Sequence, residues 1–255
     1  MKLFSRAVLL GLVTGLPFFL AHAAEEKKDS SPTPKEILER FAKAIGGKEA
    51  FAKHNSQHVL GTVEMPAQKL SGKMEVFAAR PNKLVLKMSM PGLGDVTTGY
   101  NGEVGWMNTA ITGPMLLEGP MVEEVKTQAD FDHSLHDPEN YKVMELLGKE
   151  EFNGEECYKL KLVHRSGFES TEFYSVKTGL QRGFIATQRT QFGPVTATTF
   201  VSEYKKFGDL YMPSRTMQKA SGIETVTTIE EMEYDKVDPR AFELPAEVKT
   251  LFAQK

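Results

Sequence analysis

The residues best suited to chemistry are crowded into Asp130-Phe131-Asp132-His133-Ser134-Leu135-His136-Asp137. His133 and His136, at i and i+3 with nearby carboxylates, could hold a metal if they share one face of a helix. No third ligand follows at a usual spacing and no H-E-x-x-H pattern is present, so a solvated helix end stopped at Asp137-Pro138 is the plainer account. Cys157 would need a base beside it to act as a nucleophile. His164 is the nearest in sequence, and nothing in the spacing brings the two together. No serine stands in a G-x-S-x-G elbow, and Gly92-Leu93-Gly94 does not open a helix after a strand as a phosphate loop must. Glu230, Glu231 and Glu233 could work as acid and base, but neighbouring strand residues face opposite sides. The expectation is a protein that is not an enzyme, with no catalytic residue, no metal and no cofactor.

A second kind of chemistry is apolar and adaptable. Eleven of the 12 methionines lie beyond residue 23, among them Met65, Met74, Met88, Met90, Met107, Met115 and Met121. Methionine is flexible and polarisable, and it is over-used where a surface accepts variable apolar partners. Filling of an ordinary core explains any single one equally well.

The elements that must position these residues are mostly strands. Thr33-Pro34-Lys35-Glu36 is a capping box with proline at the first helical position. Ile37, Leu38, Phe41, Ala42 and Ile45 follow at helical spacing, and Gly46-Gly47 ends the run. A further turn of helix is expected around Glu49 to Lys53. From His58 the period becomes two: Leu84, Leu86, Met88 and Met90 alternate with Lys83, Val85, Lys87 and Ser89, and Tyr158, Leu160 and Leu162 alternate with Lys159, Lys161 and Val163. Tight-turn signals separate such runs at Ser71-Gly72, Asn101-Gly102, Asn153-Gly154, Ser166-Gly167, Thr178-Gly179, Gly193-Pro194, Gly208-Asp209 and Ser221-Gly222. About ten or eleven strands joined this way must pair antiparallel, since parallel pairing needs long crossovers. One helix is expected in Pro120 to Ser134, inserted between sheet halves, and a last short one in Pro245 to Phe252.

The lysines argue that one sheet face meets water. A curled sheet whose other face exceeds what its few helices cover leaves an apolar groove. The expected wall of that groove is Leu84, Leu86, Met88 and Met90, with Met74, Trp106 and Met107 as neighbours.

Composition bounds the rest. The chain has 255 residues, 40% hydrophobic and 25% charged, with 31 basic against 34 acidic residues and a net charge of −3. That balance suits a soluble globular protein and gives no electrostatic footprint for nucleic acid. A single cysteine excludes an intrachain disulfide framework. Lys2 and Arg6 followed by the apolar run Ala7 to Leu20 and by Ala21-His22-Ala23 describe a secretory signal peptide cut after Ala23. The expected organisation is a signal peptide over 1–23, a disordered leader over 24–34 and a single folded domain over 35–255, exported and monomeric.

The order of elements is similar to that of the outer-membrane lipoprotein-sorting proteins, the LolA/LolB-like superfamily. Tyr100-Asn101-Gly102-Glu103-Val104-Gly105-Trp106 resembles the group's D/N-G-x-x-x-W hairpin. Phe173 to Leu180 resembles its strand followed by D-x-x-T-G-L, with Ser175 where Asp is usual. Tyr204 to Arg215 resembles its Y-x-x-x-G-x-x-x-P strand pair, and Phe242-Glu243-Leu244-Pro245 its closing F-x-x-P. The resemblance spans Ile37 to Pro245. It implies a mainly β fold with a few helices: a large curved antiparallel sheet forming a half-open β-barrel of about eleven strands, capped by lid helices. It also implies a concave apolar cavity that carries acyl chains of lipoproteins or other amphiphiles through the periplasm, with envelope proteins of the inner or outer membrane as partners. Relatives of the same fold that act as envelope sensors leave a second expectation, a module that binds a protein partner.

Overall fold

The computed structural model describes residues 31–190 and 193–253. The expected signal peptide, and the leader as far as Ser30, lie outside the described residues.

Helix α1, Pro34–Ala44, starts as its sequence requires. The Thr33 hydroxyl accepts from the Glu36 N–H at 3.3 Å, and the Glu36 carboxylate accepts from the Thr33 N–H at 2.7 Å. Thr33 and Pro34, which composition placed in the leader, are therefore the cap and first residue of the helix. The helix stops where Gly46 and Gly47 take φ of 130° and 81°, and the Gly47 N–H returns to the Ala42 carbonyl at 2.9 Å. Only glycine takes such angles without strain. Its apolar stripe, Ile37, Leu38, Phe41, Ala42 and then Ile45, is fully buried. A single helical turn, α2 (Lys48–Phe51), follows.

The remainder is built on strands β1 (Ser56–Met65), β2 (Leu70–Ala79), β3 (Lys83–Met90), β4 (Gly94–Tyr100), β5 (Gly105–Thr109), β6 (Gly113–Leu116), β7 (Tyr141–Phe152), β8 (Glu155–His164), β9 (Glu169–Ser175), β10 (Gln181–Thr190), β11 (Gly193–Phe207), β12 (Leu210–Ala220) and β13 (Ile223–Tyr234). They form one 13-stranded antiparallel sheet in the order β6-β5-β4-β3-β2-β1-β13-β12-β11-β10-β9-β8-β7. The strand count exceeds the expected eleven because some hairpins carry no Asn-Gly or Ser-Gly signal. Between β5 and β6 the turn is made by Thr109, whose hydroxyl accepts from the N–H groups of Ile111 and Thr112.

The sheet does not close, since β6 and β7 stand at its two ends. The chain passes between those ends through α3 (Pro120–Ala129), which packs on β3, β4 and β5 on one side and on β10 on the other. Those strands are far apart in the sheet, so one short helix reaches both only because the sheet curls around it. The face bearing α1 and α3 is concave.

Neighbouring strand residues alternate between faces, and this sorts the packing. Leu84, Tyr100 and Met107 meet α3 through Val125, Ala129, Met121 and Val122. Leu160, Leu162 and Tyr174 meet α1. The convex face is not simply wet, as the lysines suggested. Val85 and Trp106 are buried there beneath Phe242 and Val248, the latter on the closing helix α4 (Ala246–Ala253). Phe152, Phe173 and Cys157 form another buried cluster on the lysine-bearing side of β8. There the Phe152 and Phe173 rings stack 3.9 Å apart.

Candidate functional site

The segment after α3 carries the histidines singled out above, and Arg80 pins it. The Arg80 guanidinium grips the Asp132 carboxylate with contacts of 2.5 and 2.7 Å and also donates to the carbonyls of Phe51 and His54. This bidentate pairing fixes plane as well as distance. Asp130 accepts from the Asp132 N–H, and the Phe131 N–H donates to the Pro81 carbonyl. His133 begins a single 3-10 turn, His133–Leu135, and His136 follows in the left-handed region at φ 48°. Both imidazoles thereby face inward between α1 and the concave sheet rather than forming a solvated helix end.

They border a cavity of about 340 Å³. Phe41 of α1 and Ile45, which caps it, form one wall, Thr127 and Gln128 of α3 another, and Tyr141, Phe184, Met212 and Pro213 the sheet side. That volume sits at the lower end of roughly 300–1,000 Å³ for small-molecule pockets. Thr127 also donates to Ser166 at the β8–β9 turn or accepts from it, at 3.0 Å, tying α3 across the opening.

At the inner end stands Glu172, a carboxylate only 5% exposed. Ser170 Oγ donates to it at 2.8 Å, Tyr174 Oη at 2.5 Å and Gln181 Nε2 at 2.7 Å. Period two explains the first pair, since Ser170, Glu172 and Tyr174 share one face of β9. His136 Nδ1 lies 3.6 Å from the same carboxylate and 2.7 Å from Tyr141 Oη. Aromatic rings surround this end: Phe41 meets His136 edge-on at 5.5 Å and Tyr174 at 5.4 Å, while His136 and Tyr141 are parallel at 6.3 Å.

Removal from water sets the protonation states. Burial, reinforced by His136, pushes the His133 imidazole down to about 4, and burial also lowers His164. Burial, followed by the charge of Glu172, raises the Tyr141 and Tyr174 phenols, so both are neutral donors at ordinary pH. The Cys157 thiol, lying on the other face, is raised to about 11 by burial and nearby Glu155, which makes it a poor nucleophile. Among the described residues no group of three or more His, Cys, Asp or Glu is arranged to hold a metal ion.

The seven residues expected to wall the groove are not brought to one site. Leu84, Leu86, Met88 and Met90 share the concave face of β3, with Met74 directly across from Met88 and Met107 packed beside Leu84. Trp106, next to Met107 in the same strand, points the other way and is 1% exposed under α4. None of the seven lines the 340 Å³ cavity. Met74 and Met88 border a separate cleft of about 670 Å³ with mixed walls that include Lys73, Glu75, Lys87 and Glu230. What sequence reasoning missed is Glu172 with Tyr141, Phe184 and Met212. The Ser170-x-Glu172-x-Tyr174 alternation was visible, but its burial depends on β8 and β10 partners hidden from local patterning.

No protein-family model matches the sequence, nor does any curated protein sequence. Solved structures do match in shape. A DUF1329 family protein from Desulfovibrio piger superposes with a TM-score of 0.57 at 12% identity, covering 85% of this chain and 100% of its own. A LolA superfamily protein from Nitrosomonas europaea gives 0.56 at 15% identity, covering 84% and 99%. A domain from Vibrio parahaemolyticus, described as an outer membrane lipoprotein-sorting protein, gives 0.53 at 12%, covering 82% and 95%. The chain thus has a LolA-like fold, a mainly β open curved sheet with helices on its concave side. Among the described residues no helix is long and apolar enough to cross a membrane.

Proposed function

We propose that this protein is a periplasmic carrier of a lipid-like ligand, held in the concave cavity without bond-making. One observation carries the reading: a cavity of about 340 Å³ with mainly aromatic and aliphatic walls, roofed by α1 and α3 where the sheet stays open. The fold shared with the lipoprotein-sorting domain of Vibrio parahaemolyticus supports it. Each methylene moved from water into such a cavity contributes about 0.8 kcal/mol, so an acyl chain of moderate length supplies its own driving force. Release requires α3 to lift. One tie across the opening is the single Thr127–Ser166 hydrogen bond, which a membrane or partner offering a better site can outcompete.

Residues 1–23 act as the export signal in this reading, and the mature chain begins at Ala24. Native mass spectrometry of the protein recovered from its own periplasm tests the proposal. A reproducible lipid-sized adduct is expected. A clean apo mass, or a stoichiometric protein partner in place of lipid, contradicts it.

A further inference from the structure

We infer that the cavity is selective for an amphiphile with a protonated amine head, read by the Glu172 carboxylate within its aromatic surround. This rests on the carrier reading and names the ligand class for that site.

Among the described residues, the ion-pair partner of Glu172 is His136, at 3.6 Å, and no lysine or arginine reaches it. Arg165, the nearest guanidinium in sequence, donates to the Glu139 carbonyl at 2.6 Å, and Arg182 is engaged by Glu155 at 3.0 Å. A carboxylate accepts about four hydrogen bonds. Ser170, Tyr174 and Gln181 supply three, leaving room for one more donor from the cavity that Glu172 lines. Those donors solvate the negative charge in place of water without neutralising it. A ligand that brings a positive charge completes the site. One that brings a negative charge meets a like charge at Glu172.

The walls make the same choice. Phe41 and Tyr141 line the cavity with Glu172, and aromatic rings of this kind attract alkylammonium groups. His133, with its imidazole held down near 4, is neutral at pH 7 and does not repel a cation there. His164, also on the cavity wall, is lowered too. The apolar tail then lies along Phe184, Met212 and Ile45.

The test compares decylamine, 1-decanol and decanoate, which share a chain and differ in head, by calorimetric titration at about pH 7, where an alkylamine is protonated. A charged hydrogen bond to a buried carboxylate predicts that decylamine binds about tenfold or more tighter than decanol, with decanoate weakest. Glu172→Gln keeps the shape and should reduce the amine preference to about threefold or less. Equal affinities for all three, or tightest binding of decanoate, overturn the inference while leaving the carrier reading in place. An amine preference that survives Glu172→Gln also overturns it. Failure of all three to bind removes both. The wild-type ranking decides even where the variant does not fold.

Discussion

Tyr174 Oη lies 2.5 Å from Glu172 Oε2, two residues apart on one face of one strand. The pair makes burial of a carboxylate tolerable, because the phenol is raised far from ionisation and always donates. Tyr174→Phe keeps the ring packed on Phe41 but leaves Glu172 one donor short. An unsatisfied group at a buried charge costs about 1–3 kcal/mol. Urea unfolding should show a loss of that size; a change below about 0.5 kcal/mol would mean that cavity water replaces the phenol and that the inner end is wet.

Acid should loosen the same region through His133. Its folded value of about 4 lies below the unfolded value near 6.5, so the unfolded chain takes up the proton first as pH falls. The stability this group contributes is whole above pH 6.5 and is lost between about 6.5 and 4, at most about 3 kcal/mol. His54 has the opposite sign. Burial pulls its imidazole down, but hydrogen bonds to Asp209 and Asp235 outweigh that and raise it, so its contribution is whole at low pH and fades as pH rises through the raised value. His133→Gln should therefore flatten the acid limb of the stability profile and leave the alkaline limb alone. An unchanged acid limb would place His133 in water.

The convex side offers a packing test. A β-carbon on Gly99 would fall 2.2 Å from Trp106 Cζ2 on the adjoining strand. Gly99→Ala must displace an indole wedged under Phe242 and Val248, at a cost of about 1–3 kcal/mol. Trp106 emission, from the sole tryptophan, should shift to the red as the ring is pushed from its apolar seat. Wild-type stability with unaltered emission would contradict the close contact.

Much of the architecture was legible because its causes are local. The Thr33 capping box, the Gly46-Gly47 stop and the period-two runs each act within a few residues, and α1, β3 and β8 formed where they indicated. The site was less legible because its causes are distant. Placing Trp106 beside Met107 in a groove overlooked the alternation that separates them, and the helix that buries Trp106 comes from the far end of the chain. Glu172 reads as a solvent-facing strand residue until Gln181, His136 and Phe41 are brought over it. His133 and His136 were picked out by type, yet their inward direction depends on Arg80, some fifty residues earlier, holding Asp132.

Entry of an apolar ligand into the cavity under α1 and α3 can be followed at the methionine methyl groups. Met212 lines that cavity, whereas Met74, Met88 and Met107 lie elsewhere on the sheet. With methyl-13C methionine, assigned by single Met→Leu substitutions, the protein is titrated with decylamine while its NMR spectrum is recorded. Ligand entry there should give a saturable shift of the Met212 methyl and leave the Trp106 indole N–H unmoved. Shifts confined to Met74, Met88 and Met107, or no shift at saturating ligand, would contradict it.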